Sequence, residues 1–131
     1  DELKLLVQAS GVSVMFDPDQ LQQVAWNLVK NALRYGRMPN EPARVAVVVR
    51  RLPDTQQIVL EVTDRGPGIP AKQIAHIFEP FFTAGGRGTG LGLFVARELA
   101  QSNRALLVYE PRSGGGSVFR VVFADPERWE A

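Results

Sequence analysis

The clearest structural signal in the sequence is an amphipathic helix at residues 17–36, which have the sequence DPDQLQQVAWNLVKNALRYG. Asp17 is a favourable N-cap, a proline follows at the first helical position, and a glutamine at the third position completes a capping-box pattern. Apolar residues then recur at helical spacing, and Gly36 is a stop signal. The pattern predicts a helix over Pro18–Tyr35 with one buried face.

The sequence on either side of this helix predicts strands, short helices and tight turns. Alternating apolar residues predict strands at residues 12–16, 43–52, 57–64, 105–109 and 118–123. Further helices are expected at residues 71–77 and directly after a glycine-rich stretch at residues 85–92. This order of elements predicts a largely antiparallel sheet with helices packed on one face.

The composition is that of an ordinary globular domain. The chain has 131 residues, of which 45% are hydrophobic and 22% charged, and its net charge of +1 argues against nucleic-acid binding driven by bulk charge. The absence of cysteine excludes disulfides, zinc–thiolate sites and thiol catalysis, and a single histidine excludes a multi-histidine metal centre within the chain. No apolar run approaches the roughly 20 residues of a membrane span, so we expect no direct membrane insertion. We expect one domain over residues 1–131, with a lead-in at 1–11 and a tail at 124–131.

Two asparagines of the predicted helix, Asn27 and Asn31, lie four residues apart and therefore on one side, beside the apolar stripe. Arg34 lies about one further turn along the same helix. Amide oxygens can bind Mg²⁺, and a guanidinium can contact phosphate oxygens. The polar row therefore predicts either a metal–phosphate site or a solvated flank of the helix.

Asp64 stands at the end of a predicted strand whose alternate residues, Ile58, Leu60 and Val62, form an inward-facing apolar row. Because an unpaired buried carboxylate is costly, Asp64 needs a partner. The next loop contains two glycines, which let a ligand approach the backbone. A flat ligand with an amino group, such as adenine, would satisfy Asp64 and pack against Ile69. The alternative is a structural aspartate that caps the amides of its own loop.

Glycines alternate through residues 88–92 (GTGLG), immediately before a predicted helix. Free backbone amides and the positive end of the helix dipole favour phosphate at such a place. The spacing fits neither the P-loop nor the dinucleotide-binding fingerprint. The density of glycines indicates a mobile lid, and Phe81 and Phe82 before it are either core residues or an anchor that docks the lid onto the body.

Four motifs occur in the order found in a known family. Residues 27–32 (NLVKNA) resemble the N box, residues 64–69 (DRGPGI) the G1 box, residues 78–83 (FEPFFT) the F box and residues 88–93 (GTGLGL) the G2 box. The chain thus resembles the catalytic and ATP-binding domain of two-component sensor histidine kinases, in the superfamily shared with gyrase, Hsp90 and MutL. Its N and G2 boxes are similar to those of sensors for nitrogen regulation and type IV pili.

The resemblance implies the Bergerat fold, an α+β two-layer sandwich with a mixed, mostly antiparallel five-stranded sheet and about three helices on one face. It implies that Asn31 is the protein ligand of an Mg²⁺ ion that is also bound by the ATP phosphates, and that Asn27 and Arg34 are further catalytic residues. It also implies that Asp64 accepts a hydrogen bond from the adenine amino group. Arg87 would supply the charge of a lid lysine common in the family, and Ser117 stands where threonine is usual. The implied nucleotide-binding residues are Asn31, Tyr35, Asp64, Gly66, Gly68, Ile69, Arg87, Gly88, Thr89, Gly90, Leu91, Gly92, Leu93 and Ser117.

The resemblance also implies a reaction and partners. The γ-phosphoryl group of ATP would pass to a histidine on a separate dimerisation domain of the same sensor, for relay to a response regulator. No His-box pattern occurs in the chain, and His76 is expected to be a helix-surface residue that lacks a nearby acidic partner. We therefore expect the phosphoacceptor helices to lie upstream in a longer, membrane-anchored bacterial sensor, with this chain on its cytoplasmic side.

Asn27 distinguishes kinases from hydrolases in this superfamily. ATP-hydrolysing relatives place a glutamate there to activate water, whereas an amide cannot accept a proton at neutral pH. This favours a kinase. The alternatives are a gyrase-like or Hsp90-like ATPase switch and a non-catalytic nucleotide-binding interaction module. An anti-sigma-factor serine kinase shares the fold, but the serine hydroxyl that it phosphorylates would need a general base nearby. Asn27 therefore argues against this alternative.

Overall fold

The computed structural model describes residues 1–83 and 88–124, which form one sheet and three helices. In chain order the elements are β1 (Glu2–Val7), α1 (Pro18–Tyr35), β2 (Arg44–Arg51), β3 (Ile58–Thr63), α2 (Ala71–Ile74), α3 (Gly92–Ser102), β4 (Leu106–Pro111) and β5 (Ser117–Val122). Within the described ranges, no helix combines the length and the apolar character that crossing a bilayer requires.

The five strands lie in the order β1-β2-β3-β5-β4. β1 runs parallel to β2, and every other neighbouring pair is antiparallel, so the sheet is mixed and mostly antiparallel as predicted. β3 and β5 are neighbours within the sheet, and their register places Val62 opposite Phe119. The end of β3 and the start of β5 therefore lie side by side, which brings the loops that flank them together.

The core lies between one face of this sheet and helices α1 and α3. α1 contributes Val24 and Leu28, both fully buried, while the fully buried residues of α3 are small, Ala96 and Ala100, and its leucines pack partly buried against the core. Small residues let two helices approach closely, so α1 and α3 form a single layer. At the end of this layer Asp17 caps α1 by accepting the Gln20 N–H, as predicted.

The strand predicted at residues 12–16 is wrong. Those residues form no strand, and the parallel edge strand lies at Glu2–Val7, within the segment expected to be a lead-in. Val14 and Phe16 are half-buried against the core, which explains the alternation in the sequence. A strand also needs a hydrogen-bonded neighbour, and β2 pairs with β1 instead.

The remaining predicted elements are confirmed with small changes in their bounds. α1 has the predicted limits, and the four later strands lie at nearly the predicted positions. α2 is shorter than expected and ends at Ile74, after which the chain continues in turns. Gly36 ends α1 as predicted, although with a φ of −88° rather than in the left-handed conformation.

The opposite face of the sheet carries a charged cluster centred on Glu61. Its carboxylate accepts from Arg50 Nε at 2.7 Å and from Arg120 Nε at 2.6 Å, and Arg120 also reaches Glu110 at 2.8 Å. Burial alone would raise the pKa of Glu61, but the hydrogen bonds from the two arginines outweigh it and lower the pKa. Glu61 is therefore ionised at neutral pH and ties β2, β3 and β5 together.

We predict that Glu61→Gln lowers the free energy of unfolding by about 2 kcal/mol at neutral pH, because a nearly buried, doubly paired charge is lost. Folding lowers the pKa of Glu61. Its contribution to the free energy of unfolding is therefore complete above the pKa of the unfolded state, and it disappears as the pH falls through the pKa of the folded state. Urea denaturation at several pH values measures both effects. Glu110→Gln is the control. Glu110 is a half-exposed partner of Arg120, so its substitution should lower the free energy of unfolding by less than about 1 kcal/mol. Equal losses for the two variants, or a Glu61 effect that persists in acid, would contradict the assignment.

Candidate functional site

A cleft of about 430 Å³ opens between α1, the loop that follows β3 and the glycine-rich segment that leads into α3. Cavities of this size commonly bind small organic ligands. Most residues singled out from the sequence line this cleft. They are Asn27, Asn31, Arg34, Tyr35, Asp64, Gly68, Ile69, Phe82, Gly88, Thr89, Gly90, Gly92, Leu93 and Ser117.

The carboxylate of Asp64 divides its two oxygens between the fold and the cleft. Oδ1 accepts the backbone N–H groups of Gly66 at 2.9 Å and Ser117 at 3.2 Å. Oδ2 receives no hydrogen bond from any residue in the two described ranges, although Asp64 is only 4% exposed and lines the cleft. Burial raises the pKa of Asp64, while the two N–H groups act in the opposite direction. The structural interpretation of Asp64 thus holds for Oδ1, which caps the loop, while Oδ2 has no partner in the described residues and the ligand interpretation stays a prediction.

Three glycines surround Asp64 so closely that none has room for a side chain. A Cβ at Gly36 would overlap the Asp64 carboxylate, and one at Gly116 would overlap the Asp64 carbonyl oxygen. Gly66 in turn packs against the backbone of Gly36, where a Cβ would also collide. The end of α1, the loop after β3 and the turn before β5 are therefore packed tightly together around Asp64.

The loop after Asp64 is fixed by a residue from strand β4. The backbone N–H of Ile69 donates to the Tyr109 hydroxyl at 3.2 Å, and Ile69 packs against the core. Gly68 has a φ of +77°, a conformation that favours glycine, and this lets the loop turn at the wall of the cleft. Asp64 and Ile69 therefore present a charged acceptor and an apolar surface to the same cavity.

The side chains of α1 form the opposite end of the cleft. Asn31 lies half-buried on its wall, and its side chain makes no hydrogen bond to the part of the chain that the structure describes. The guanidinium of Arg34 lies so close to Gly88 that a Cβ on that glycine would collide with it. Asn27, by contrast, is 5% exposed and uses its amide within the protein, as described below. This end thus combines an available amide with a cation.

The two phenylalanines expected to anchor the lid behave differently. Phe82 is half-buried, packs against the core and lines the cleft. The Phe81 side chain is 74% exposed, so docking by this ring is not what the structure contains. Phe81 instead contributes its backbone N–H, which donates to the Gly90 carbonyl at 2.9 Å. Phe81 has a φ of +66°, a left-handed backbone conformation that turns the chain at that residue and leaves the ring exposed.

Two predicted residues, Gly66 and Leu91, do not line the cleft. Arg87 falls outside the described residues. His76 is exposed as expected, but the expectation that it lacks an acidic partner is wrong, because its Nδ1 lies 2.8 Å from a Glu79 carboxylate oxygen.

Some residues that line or shape the cleft are not predicted from the sequence. Gly36 is predicted only as a helix stop, yet its lack of a side chain leaves space for Asp64. Lys30 belongs to the N box and brings a second cation to the α1 wall. The other unpredicted lining residues are Pro67, Pro70, Gln73, Ile77, Thr83 and Phe119. Several belong to or adjoin the G1 and F boxes, so the boxes themselves are the available signal.

The comparisons with known proteins agree with this geometry. The family described as histidine kinase-, DNA gyrase B-, and HSP90-like ATPase matches residues 16–127. The chain belongs to this family. It is 44% identical over 127 residues to the sensor protein kinase PilS of Pseudomonas aeruginosa, covering 97% of this chain and 24% of that protein. The chain therefore spans about a quarter of the length of this curated relative.

Solved structures place the chain within one branch of the family. The catalytic domain of the histidine kinase ThkA has a TM-score of 0.77 and 27% identity, covering 93% of this chain and 78% of that one. Full-length ShkA in complex with AMPPNP has a TM-score of 0.78 and 26% identity, covering 94% of this chain and 26% of that one. The sheet and helices described here are thus those of an ATP-binding catalytic domain of the sensor histidine kinase type.

The residues present fit Mg²⁺ only as a partner of a bound phosphate. No group of three or more histidine or acidic side chains that could hold a metal ion occurs in the described parts of the chain. Mg²⁺ usually keeps several waters and binds through few protein oxygens plus substrate phosphates. The amide of Asn31, available on the cleft wall, suits that arrangement.

We predict that Gly36→Ala lowers the free energy of unfolding by about 1–3 kcal/mol, because the new methyl group overlaps the Asp64 carboxylate and forces it to move. The new methyl group would also collide with the backbone carbonyl oxygen of Ala32, so part of the cost is independent of Asp64. Urea denaturation measures the loss. The same substitution in an Asp64→Ala background should cost clearly less, since the overlapping carboxylate is then gone. An equal cost in both backgrounds would show that Gly36 serves only the end of α1.

Proposed function

We propose that the chain binds Mg·ATP in this cleft and transfers the γ-phosphoryl group to a histidine on a separate dimerisation domain of a longer sensor, for relay to a response regulator. The proposal places the chain, as a single domain, on the cytoplasmic side of a membrane-anchored bacterial protein. The observation that carries it is the divided carboxylate of Asp64, whose Oδ1 is held by two backbone N–H groups while Oδ2 has no partner in the described residues.

Adenine is the ligand that best suits the Asp64 end of the cleft. Its exocyclic amino group donates a hydrogen bond, and Oδ2 of Asp64 is the available acceptor there. Its flat ring can pack on Ile69, whose backbone is fixed by Tyr109. A base without the amino group would leave the nearly buried Oδ2 of Asp64 without a donor, so this contact discriminates strongly against such bases. The similar structure of full-length ShkA is a complex with AMPPNP, which supports an adenine nucleotide for this chain.

The triphosphate would then extend towards α1 and the start of α3. Lys30 and Arg34 line that end, and the N-terminus of the 11-residue α3 lies there with Gly92 as its first residue. Cations and unpaired amides at a helix N-terminus stabilise phosphate oxygens. Mg²⁺ bound to the phosphates would neutralise further charge during transfer, with Asn31 as its protein ligand.

The acid–base groups of the cleft favour transfer over hydrolysis. Among the described residues that line it, Asp64 is the single carboxylate and no histidine is present. Asp64 lies at the end of the cleft proposed for adenine, where two backbone N–H groups hold one of its oxygens. Asn27, at the proposed phosphate end, is an amide and cannot take a proton from water. Transfer requires the nucleotide to be positioned and its charge neutralised, and the nucleophile comes from the dimerisation domain. The bond from the γ-phosphorus to the bridging oxygen breaks, ADP leaves, and a phosphorus–nitrogen bond forms.

We predict that Asp64→Asn weakens ATP binding by about 2 kcal/mol or more, because the adenine amino group loses its charged acceptor. Burial raises the pKa of Asp64 in the folded state above its pKa in the unfolded state. Ionised Asp64 therefore lowers the stability of the fold, and this loss grows as the pH rises from the unfolded-state pKa to the folded-state pKa. The asparagine variant should therefore be no less stable at neutral pH than the wild type without nucleotide. Calorimetric titration with Mg·ATP and thermal unfolding test the two statements. Unchanged affinity would refute the adenine assignment.

We predict that Asn31→Ala removes most of the affinity that Mg²⁺ adds to ATP binding, roughly tenfold, because the metal loses its protein ligand. Binding of adenosine, which carries no phosphate, should stay the same. Calorimetry with and without Mg²⁺ makes the comparison, and Gln22→Ala on an exposed position of α1 is the control. Normal phosphoryl transfer by Asn31→Ala to an added histidine domain would contradict the metal role. Rapid ATP turnover by the wild-type chain alone would favour an ATPase switch instead.

A further inference from the structure

A short chain of hydrogen bonds connects the exposed side of α1 to the first residue of α3. Gln23 Nε2 donates to Asn27 Oδ1 at 2.8 Å, and Asn27 Nδ2 donates to the Gly92 carbonyl at 3.1 Å. Asn27 is nearly buried, and both ends of its amide are engaged. Gly92 begins α3 and ends the glycine-rich segment, so these bonds join the two elements that form the proposed phosphate end of the cleft.

The chemistry of the three groups fixes the direction of every bond. A backbone carbonyl can only accept, so the Asn27 atom that faces Gly92 must be the NH₂ group. The other end of the Asn27 amide is then its oxygen, which requires a donor from residue 23. Gln23 supplies that donor with its NH₂ group. The orientation of Asn27 therefore depends on Gln23 having a hydrogen to give.

We propose that Gln23 is a positioning residue for phosphate binding: by donating to Asn27, it fixes the distance between α1 and the N-terminus of α3. In this role Asn27 acts as a bridge between the two helices, and Asn31 is the amide left available on the cleft wall. The inference rests on the proposed function, because it assumes that the phosphates lie between these helices.

Replacing Gln23 by glutamate keeps the size of the side chain and removes the donor. If Asn27 keeps its orientation, its oxygen faces a carboxylate. If the amide rotates to donate to the glutamate, its oxygen faces the Gly92 carbonyl. Either way one hydrogen bond is replaced by repulsion between two acceptors, and the link between α1 and α3 is broken.

The neighbouring residue provides a matched control. Gln22 is exposed on the same helix, and its side chain makes no hydrogen bond within the described residues, so Gln22→Glu adds the same charge nearby without touching the bridge. Gln23→Lys is the complementary variant, because an ammonium group can still donate to Asn27. Its matched control is Gln22→Lys. The probes are Mg·AMPPNP and adenosine, each titrated into the whole chain by calorimetry, with thermal unfolding measured in parallel.

We expect Gln23→Glu to bind Mg·AMPPNP about tenfold more weakly than Gln22→Glu, with adenosine affinity unchanged within about twofold. Gln23→Lys should bind Mg·AMPPNP no more weakly than Gln22→Lys. If Gln23→Glu does not fold, Gln23→Met provides the same test with an uncharged side chain that cannot donate.

Three results would overturn the inference. Equal affinities for Gln23→Glu and Gln22→Glu would mean that the donor is unimportant. Equal weakening of Mg·AMPPNP and adenosine, together with a lower melting temperature, would mean that Gln23 serves stability alone. A loss in Gln23→Lys as large as in Gln23→Glu would rule out the donated hydrogen bond. Failure of the wild type to bind Mg·AMPPNP at all would instead refute the proposed function, and this inference with it.

Discussion

The site depends on one costly arrangement, a carboxylate buried at the end of an apolar strand. A buried charge must be compensated, and the protein compensates Asp64 only in part, with two backbone N–H groups on Oδ1. Those donors come from the loop after β3 and from the start of β5, so pairing of these two strands sets the geometry. Gly36 leaves space for the Asp64 side chain, and Gly66 and Gly116 let the neighbouring backbone segments pack closely around it. The remaining oxygen faces a cavity, and the protein therefore gains its full compensation when a donor binds there.

The two ends of the cleft are built by different kinds of structure, which has consequences for how they are coupled. The Asp64 end belongs to the sheet, whose register is fixed by backbone hydrogen bonds along β3 and β5. The other end belongs to α1 and α3, where α3 contributes small buried alanines. Apolar packing of this kind is not directional. A polar bridge such as Asn27 adds directional hydrogen bonds, which hold α1 at a set distance from the start of α3.

Most of the fold and of the candidate site could be predicted from the sequence, and the failures have physical causes. α1 is predictable to its limits because its cap, its periodicity and its stop are all local signals. The first strand is misplaced because alternation in residues 12–16 reflects packing of Val14 and Phe16 against the core, whereas β1 is defined by a distant partner. Asp64 is recognisable because its strand points it inward. The contact between Gly36 and Asp64, and the bridge made by Asn27, join segments far apart in sequence and leave no pattern that spacing alone could reveal.

The described part of the cleft has no general base at its proposed phosphate end, and this affects how a signal could control the proposed reaction. Among its described lining residues, no carboxylate or histidine at the phosphate end can accept a proton, and the amide of Asn27 is already committed to holding α3. A bound triphosphate would therefore be positioned but not attacked from within the domain. Under the proposed function the nucleophile comes from another domain, so the rate of transfer would depend on how often a histidine reaches the cleft in line with the γ-phosphorus. Under the proposed function, regulation thus acts most directly on the geometry of docking. A glutamate at position 27 would uncouple the chemistry from that geometry by giving water its own base.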